Sequence, residues 1–425
     1  MATTVADQNR PAVSTSRTGA ATPRRSGYLH QLDFMRVITF LLVILVHTLT
    51  NTNNEVTGTV TNALALNLHF TRNAFFALTG LVLAYGTLDQ TDFSARAFWR
   101  KRLPLVAIPF LVWAIAYWVF AMVTTHNTRN IPGSLANLAY NVVWGGMNGY
   151  QLYFIFVTLQ IYLLFPAVLW IVRRTRGHHL RLLFVSAIVQ LAVYATLIHW
   201  QPAGTIGNYW WHAYATFVPY QFFVFLGAVT AAHRERVEAV LLRHAPLVFA
   251  AAAIIAVGEQ LIYQLRLRGG APPMVASSAF QPTSLALYVA LTAAVYTVGL
   301  IAARNMDRIP RLARVASYGA KRSFGVFLAH VMVLSVLLLP AENTSWFLRH
   351  VSSPWATLLA YVVTVLVTVG IVELLSRAPK AHWWVGRKRD GARIFGRKLR
   401  NDGKGSRQFS PEGPSGRVDT GNVPR

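Results

Sequence analysis

The sequence predicts an all-α polytopic membrane protein of about ten transmembrane helices with both termini cytoplasmic, and three observations carry that prediction. The 425 residues are 54% hydrophobic and only 13% charged. An ordinary soluble domain carries about 25% charged residues, so this chain has too little polar surface to face water on all sides. Second, ten apolar runs lie between polar ends, each near the roughly 20 residues a spanning helix needs. Third, the cations alternate from loop to loop. Seventeen Lys and Arg fall in the even-numbered loops and four in the odd ones, the asymmetry expected when the even loops and both ends are cytoplasmic.

The runs fall at 33–50, 67–88, 103–125, 149–172, 182–198, 212–232, 246–264, 282–303, 323–340 and 354–376. Arg96, Arg100, Lys101 and Arg102 separate the second from the third; Arg173, Arg174, Arg176 and Arg181 separate the fourth from the fifth. Arg234, Arg236 and Arg243 follow the sixth run, and the series from Arg304 to Arg322 follows the eighth. Residues 1–27, rich in Ser, Thr, Ala and Arg, read as a disordered cytoplasmic tail. Residues 28–384 read as the membrane domain. Residues 385–425 read as a basic, Gly/Ser/Pro-rich cytoplasmic tail, with room for a short basic surface helix near Arg387–Arg400. The polar start predicts no cleavable signal peptide. The net charge of +25 would suggest a nucleic-acid partner if it lay on one soluble face. Spread over tails and alternate loops, it reads as topogenic and lipid-facing charge instead. With no cysteine, disulfides, thiol nucleophiles and zinc-thiolate sites are excluded.

Ionisable residues inside apolar runs are candidates for function, because exposing them to lipid is expensive. Arg36 and His47 are eleven residues apart on the first run. Eleven steps of about 100° nearly complete three turns, so the two share a helix face about 16 Å apart along the axis. His330 lies eight residues past Arg322 on the ninth run, at a depth similar to that of His47. Two histidines at one depth suit proton transfer or an internal polar cavity; each alone reads equally as a helix–helix hydrogen bond. No paired His/Asp/Glu spacing on one helix supports a metal site. Arg72, at the outer end of the second run, reads as an interfacial anchor or a cavity residue. Glu259 and Glu373 are the two clear acids within apolar runs, and each is expected to pair with an arginine on a neighbouring helix or to support the site. The aromatic stretches NGYQLYF and QPAGTIGNYWWHAY read as an interfacial belt or as a stacking surface for sugar rings. A transporter moving a glycan or lipid is the competing class, and neither inverted repeats nor paired broken helices are evident to favour it.

LDFMRVITFLLVILVH, with Asp33, Arg36 and His47, resembles the first helix of the acyltransferase-3 family of integral membrane O-acyltransferases. TRNAFFALTGLVLAYG resembles its second helix, with Arg72, Phe75, Phe76 and Gly80 in register and Thr79 where serine is usual. FWRKRLPLVAIPFLVW resembles the basic third segment, with Leu105 where a second arginine often stands. YQLYFIFVTLQIYLLFP resembles the fourth helix, with Gln151 and Tyr153 replacing the common His and Trp. SFGVFLAH resembles a late-helix stretch and places Ser323 and His330. The resemblance covers roughly 30–376 and implies transfer of an acyl group, often acetyl, from cytoplasmic acyl-CoA to a hydroxyl of a cell-envelope glycan or glycolipid, in a bacterial plasma membrane. It implies no bound cofactor: acyl-CoA is a substrate, and the other partners are the envelope acceptor and membrane lipids. Under it, Arg36, Arg100, Lys101 and Arg102 are expected to hold the donor phosphates. His47 is expected to take the acceptor's proton. His330 and Arg72 are expected to polarise the carbonyl or orient the acceptor, and Ser323 is the serine to consider for a covalent relay.

Overall fold

The computed structural model describes residues 27–125, 130–144, 150–340 and 345–387. The expected N-terminal tail and nearly all of the expected C-terminal tail, including the stretch from 388 to Arg400, lie outside these residues. In chain order the helices are α1 (His30–Thr52), α2 (Thr59–Leu68), α3 (Phe70–Tyr85), α4 (Ala95–Arg102), α5 (Pro104–Thr124), α6 (Ile131–Trp144), α7 (Leu152–Arg174), α8 (His179–His199) and α9 (Gly204–Trp210). They continue with α10 (Gln221–Ala232), α11 (Arg234–Arg243), α12 (Ala245–Arg268), α13 (Pro273–Ala276), α14 (Ser284–Arg304), α15 (Pro310–Leu337), α16 (Trp346–His350), α17 (Trp355–Arg377) and α18 (Ala381–Val385). No strand occurs among the described residues.

Among the described residues, eight helices are long and apolar enough to cross a membrane: α1, α4 continued by α5, α7, α8, α12, α14, α15 and α17. The chain is therefore an all-α, multi-pass membrane protein. Local chemistry sets the boundaries. Ser94 caps α4 by accepting from the Ala97 amide, and Pro104 occupies the first turn of α5, where a missing N–H costs nothing. The helix at the ninth apolar run, α15, starts earlier than that run, at Pro310 rather than 323, because the basic segment ahead of the run is itself helical.

At the second and sixth apolar runs the structure has shorter pieces. The second run holds only the last two residues of α2 and, past His69, the sixteen residues of α3. The sixth becomes two 3-10 turns, Trp211–Ala215 and Val218–Tyr220, followed by the twelve residues of α10. The physical reason lies in their surroundings: α3 and α10 form the most extensive helix pair in the molecule and bury most of their residues. Irregular backbone at membrane depth is tolerated where protein, not lipid, surrounds it. Gly80 and Gly227 make the pair possible. A Cβ on Gly80 would strike the Val224 carbonyl, and one on Gly227 would strike the Ala77 carbonyl, so only glycine permits this separation.

α1 is the most buried of the long helices and packs against α3, α14, α15 and α17. The peripheral helices α8 and α12 expose Leu180, Phe184, Val185, Ile254, Val257 and Leu261, the apolar surface that lipid contact requires. The chain stays packed past 384: Val385 is buried, and Gly386 turns in the left-handed region at φ 65°, bringing Arg387 back against the bundle.

Candidate active site

Two cavities lie one after the other along α1. The larger, about 390 Å³, opens at the end of the bundle where α1 begins; its lining includes Arg36, Arg102, Lys321, Arg387, Ser323 and Thr158. The smaller, about 70 Å³, lies deeper; its lining includes His47, His69, Arg72, Gln151 and Tyr153. Phe75, Phe154 and Phe327 line both and so form the wall between them. Arg36 lines the first cavity and His47 the second, both from α1.

His47 is half-buried on α1. Its ring meets Tyr150 edge-on at 4.9 Å between centroids and tilts against His330 at 5.3 Å. The α1–α15 packing brings the two histidines together, and His330 stands behind His47, fully buried. His330 Nδ1 lies 2.7 Å from the Phe327 carbonyl. A carbonyl can only accept, so Nδ1 carries the hydrogen and Nε2 of the neutral ring holds a lone pair. That Nε2 is buried with no hydrogen-bond partner. Asn51, one turn on from His47, donates to the His47 carbonyl at 2.7 Å and to the Tyr150 hydroxyl at 3.1 Å.

Arg72 lies in the first turn of α3. Its guanidinium donates to the Tyr153 hydroxyl at 3.2 Å and the Ala279 carbonyl at 3.4 Å, and sits over the rings of Phe280 and Tyr220 at 4.6 and 5.1 Å. Among the described residues no carboxylate lies within ion-pair distance of it, and its Nε is buried without a partner. It is a cation held in place by neutral groups, with capacity left to donate.

The two acids behave differently. Glu259 is buried on α12, where it accepts from Thr283, Ser284 and Arg266, the last at 3.2 Å. Glu373 on α17 accepts from Tyr318 at 2.8 Å and forms ion pairs with Arg322 and Arg377. The expected pairing with an arginine of a neighbouring helix holds for Glu373 through Arg322 of α15, whereas the arginine of Glu259 stands on α12 itself, seven residues on; neither acid lines either cavity. Asp33 accepts from Tyr28 and Ser317 and lies 4.0 Å from Arg36, so it braces the start of α1 behind Arg36. Of the three cations at the end of α4, Arg102 lines the larger cavity, while Arg100 and Lys101 are exposed beside it. Ser323 lines the same cavity and donates to the Ala320 carbonyl at 2.9 Å. Among the described residues no group of three or more His, Asp or Glu is placed to hold a metal ion.

Sequence reasoning assigned no site role to several lining residues. His69 stood three positions before Arg72, and Lys321 beside Arg322, both visible signals. Arg387 falls in the stretch that the sequence assigns to the tail. Gln151 departs from the family's usual His, and the structure gives it a defined orientation. The Tyr117 hydroxyl donates to the Leu328 carbonyl at 2.9 Å and accepts from the Met332 amide at 3.0 Å, so the Gln151 amide nitrogen donates to it at 2.6 Å. The Gln151 amide oxygen is thereby left buried and unpartnered.

No curated protein and no solved structure matches the chain. The model of the acyltransferase-3 family, described as an acyltransferase domain, matches residues 29–373. That span takes in α1 through most of α17, and with it the second chamber, the paired histidines, Arg72 and all of the first chamber's lining but residues 385–387: the chain belongs to the acyltransferase-3 family and is a membrane acyltransferase.

Proposed function

We propose that this protein moves an acyl group, acetyl by size, from cytoplasmic acyl-CoA to a hydroxyl of a cell-envelope glycan or glycolipid. The observation that carries the reading is the pair of chambers in line along α1, the first cationic, the second holding His47 and Arg72. Arg36, Arg102 and Lys321 at the mouth suit the phosphates of the donor, Arg through paired hydrogen bonds. The acyl thioester leads inward to His47. Neutral His47 takes the proton of the acceptor hydroxyl as its oxygen attacks the thioester carbon. The carbon–sulfur bond then breaks, and the departing sulfur receives the proton from His47, leaving an ester and free CoA. Arg72, with its unpartnered Nε, donates to the carbonyl oxygen as negative charge develops there. His330 presents a waiting acceptor, its free Nε2, to the imidazolium that His47 becomes. Ser323 lies in the first chamber, which no histidine lines among the described residues, and its proton is committed to a carbonyl. This supports direct transfer over an acyl-serine relay.

The test is transfer of label from radiolabelled acetyl-CoA to an envelope extract by purified protein in nanodiscs. Wild type should release CoA and label the extract, and His47→Ala should be slower by about 10²–10⁴-fold, the usual worth of a general base. Near-native transfer by His47→Ala would remove His47 from the chemistry. A wild-type protein that binds acetyl-CoA yet transfers nothing would remove the acyl-donor assignment.

A further inference from the structure

The acyl group is the leading end of an acyl-CoA, so whatever lies ahead of the thioester carbonyl when it reaches His47 must fit in the inner chamber. That chamber holds about 70 Å³, half the roughly 150 Å³ of an apolar cavity that takes up benzene with its six heavy atoms. An acetyl group, three heavy atoms, is of this size; a hexanoyl group carries four more carbons. The wall through which the acyl group passes is made of Phe75 on α3, Phe154 on α7 and Phe327 on α15. Phe75 and Phe154 meet edge to face at 5.8 Å, and Phe154 and Phe327 tilt together at 4.9 Å. Phe76 stacks on Phe154 from behind at 4.5 Å, and Phe327 abuts the His330 ring at 5.7 Å. Three rings from three helices, each backed by packing, resist displacement, because a packed interior accommodates extra volume only with strain.

We propose that Phe75, Phe154 and Phe327 form an acyl-length filter: they admit the slender pantetheine arm with a short acyl group and close the inner chamber to longer chains. The filter rests on the proposed transfer reaction and specifies its donor class as short-chain acyl-CoA. Phe75 is the residue to vary, since it is only half-buried and faces both chambers, whereas Phe154 is held between two other rings. Its shortening joins the chambers; its enlargement closes the passage.

The experiment measures CoA release by purified protein in nanodiscs, with the glycan and glycolipid fraction of an envelope as acceptor. Acetyl-, butyryl-, hexanoyl- and octanoyl-CoA are supplied to wild type, Phe75→Leu, Phe75→Ala and Phe75→Trp. Wild type should prefer acetyl- over hexanoyl-CoA at least tenfold. Phe75→Ala should shrink that preference tenfold or more, with Phe75→Leu between. Phe75→Trp should slow even acetyl transfer. The preference is a ratio within one preparation, so a variant that folds poorly does not distort it, and the leucine variant stands in if the alanine variant fails to fold. Equal rates for acetyl- and octanoyl-CoA in wild type would overturn the filter, as would active leucine and alanine variants with an unaltered preference; both leave acyl transfer standing. A wild type that transfers none of the four while binding CoA would overturn the transfer reading itself, and the filter with it.

Discussion

Arg72 and Arg266 are both half-buried cations, and their neighbours separate their roles. Arg266 has a carboxylate, Glu259, 3.2 Å away, and its other donors reach Ala276 and Thr283; it is consumed in holding α12 to the loop before α14. Arg72 is held by a hydroxyl, a carbonyl and two ring faces. The substitutions at these sites should therefore part company. Glu259→Gln leaves Arg266 uncompensated, a change that typically costs about 3–5 kcal/mol; it should lower the thermal midpoint in detergent while the rate per folded molecule holds. Arg72→Lys keeps the charge but loses the planar fork. It should cut kcat about tenfold or more while leaving the midpoint within a few degrees and CoA binding unaltered; an unchanged kcat would take Arg72 out of the reaction.

Among the elements, the crossing of α3 and α10 decides where Arg72 and Phe75 stand. The two helices touch backbone to backbone because neither Gly80 nor Gly227 has a Cβ. Gly227→Ala adds one atom against the Ala77 carbonyl, and over-packing of this kind costs about 1–3 kcal/mol. The variant should melt earlier and, in the fraction that folds, transfer more slowly, because the shift moves Arg72 on α3 relative to His47 on α1. Normal melting and normal rate together would mean that α3 and α10 stand further apart than this packing has them. α15 works in the opposite sense: a continuous 28-residue helix, it delivers Lys321 and Ser323 to the first chamber and Phe327 to the wall, and sets His330 behind His47, all along one rod.

Across the whole molecule, the cations that line the first chamber come from four separate parts of the chain: α1, α4, α15 and the turn after α18. Arg387 closes the mouth by donating to the Lys321 carbonyl at 3.1 Å. Lys321→Ala and Arg387→Ala should each raise KM for acetyl-CoA several-fold and leave kcat nearly unchanged, since they lie far from the thioester, and the effect should shrink as salt rises. A fall in kcat with constant KM would mean that the phosphates bind elsewhere.

The sequence by itself determined the class of the molecule, the placing of its apolar runs and the shared face of Arg36 and His47. Each of these follows from local spacing, composition or helical period, which need no partner. It also identified the family, through stretches short enough to be read one helix at a time. The tertiary structure alone decided which ionisable residues meet. Glu259 and Glu373 looked as functional as His47 until the structure gave each an arginine: Arg266 of its own helix α12 for Glu259, and Arg322 of α15 for Glu373. Gln151 acquired an orientation only when α5 and α15 brought Tyr117, Leu328 and Met332 around it. The shortness of α3 and α10 was hidden because hydropathy reports how apolar a run is, not whether lipid or protein surrounds it. The phenylalanine wall was equally hidden: three rings from positions 75, 154 and 327 have no sequence relation until three helices converge on them.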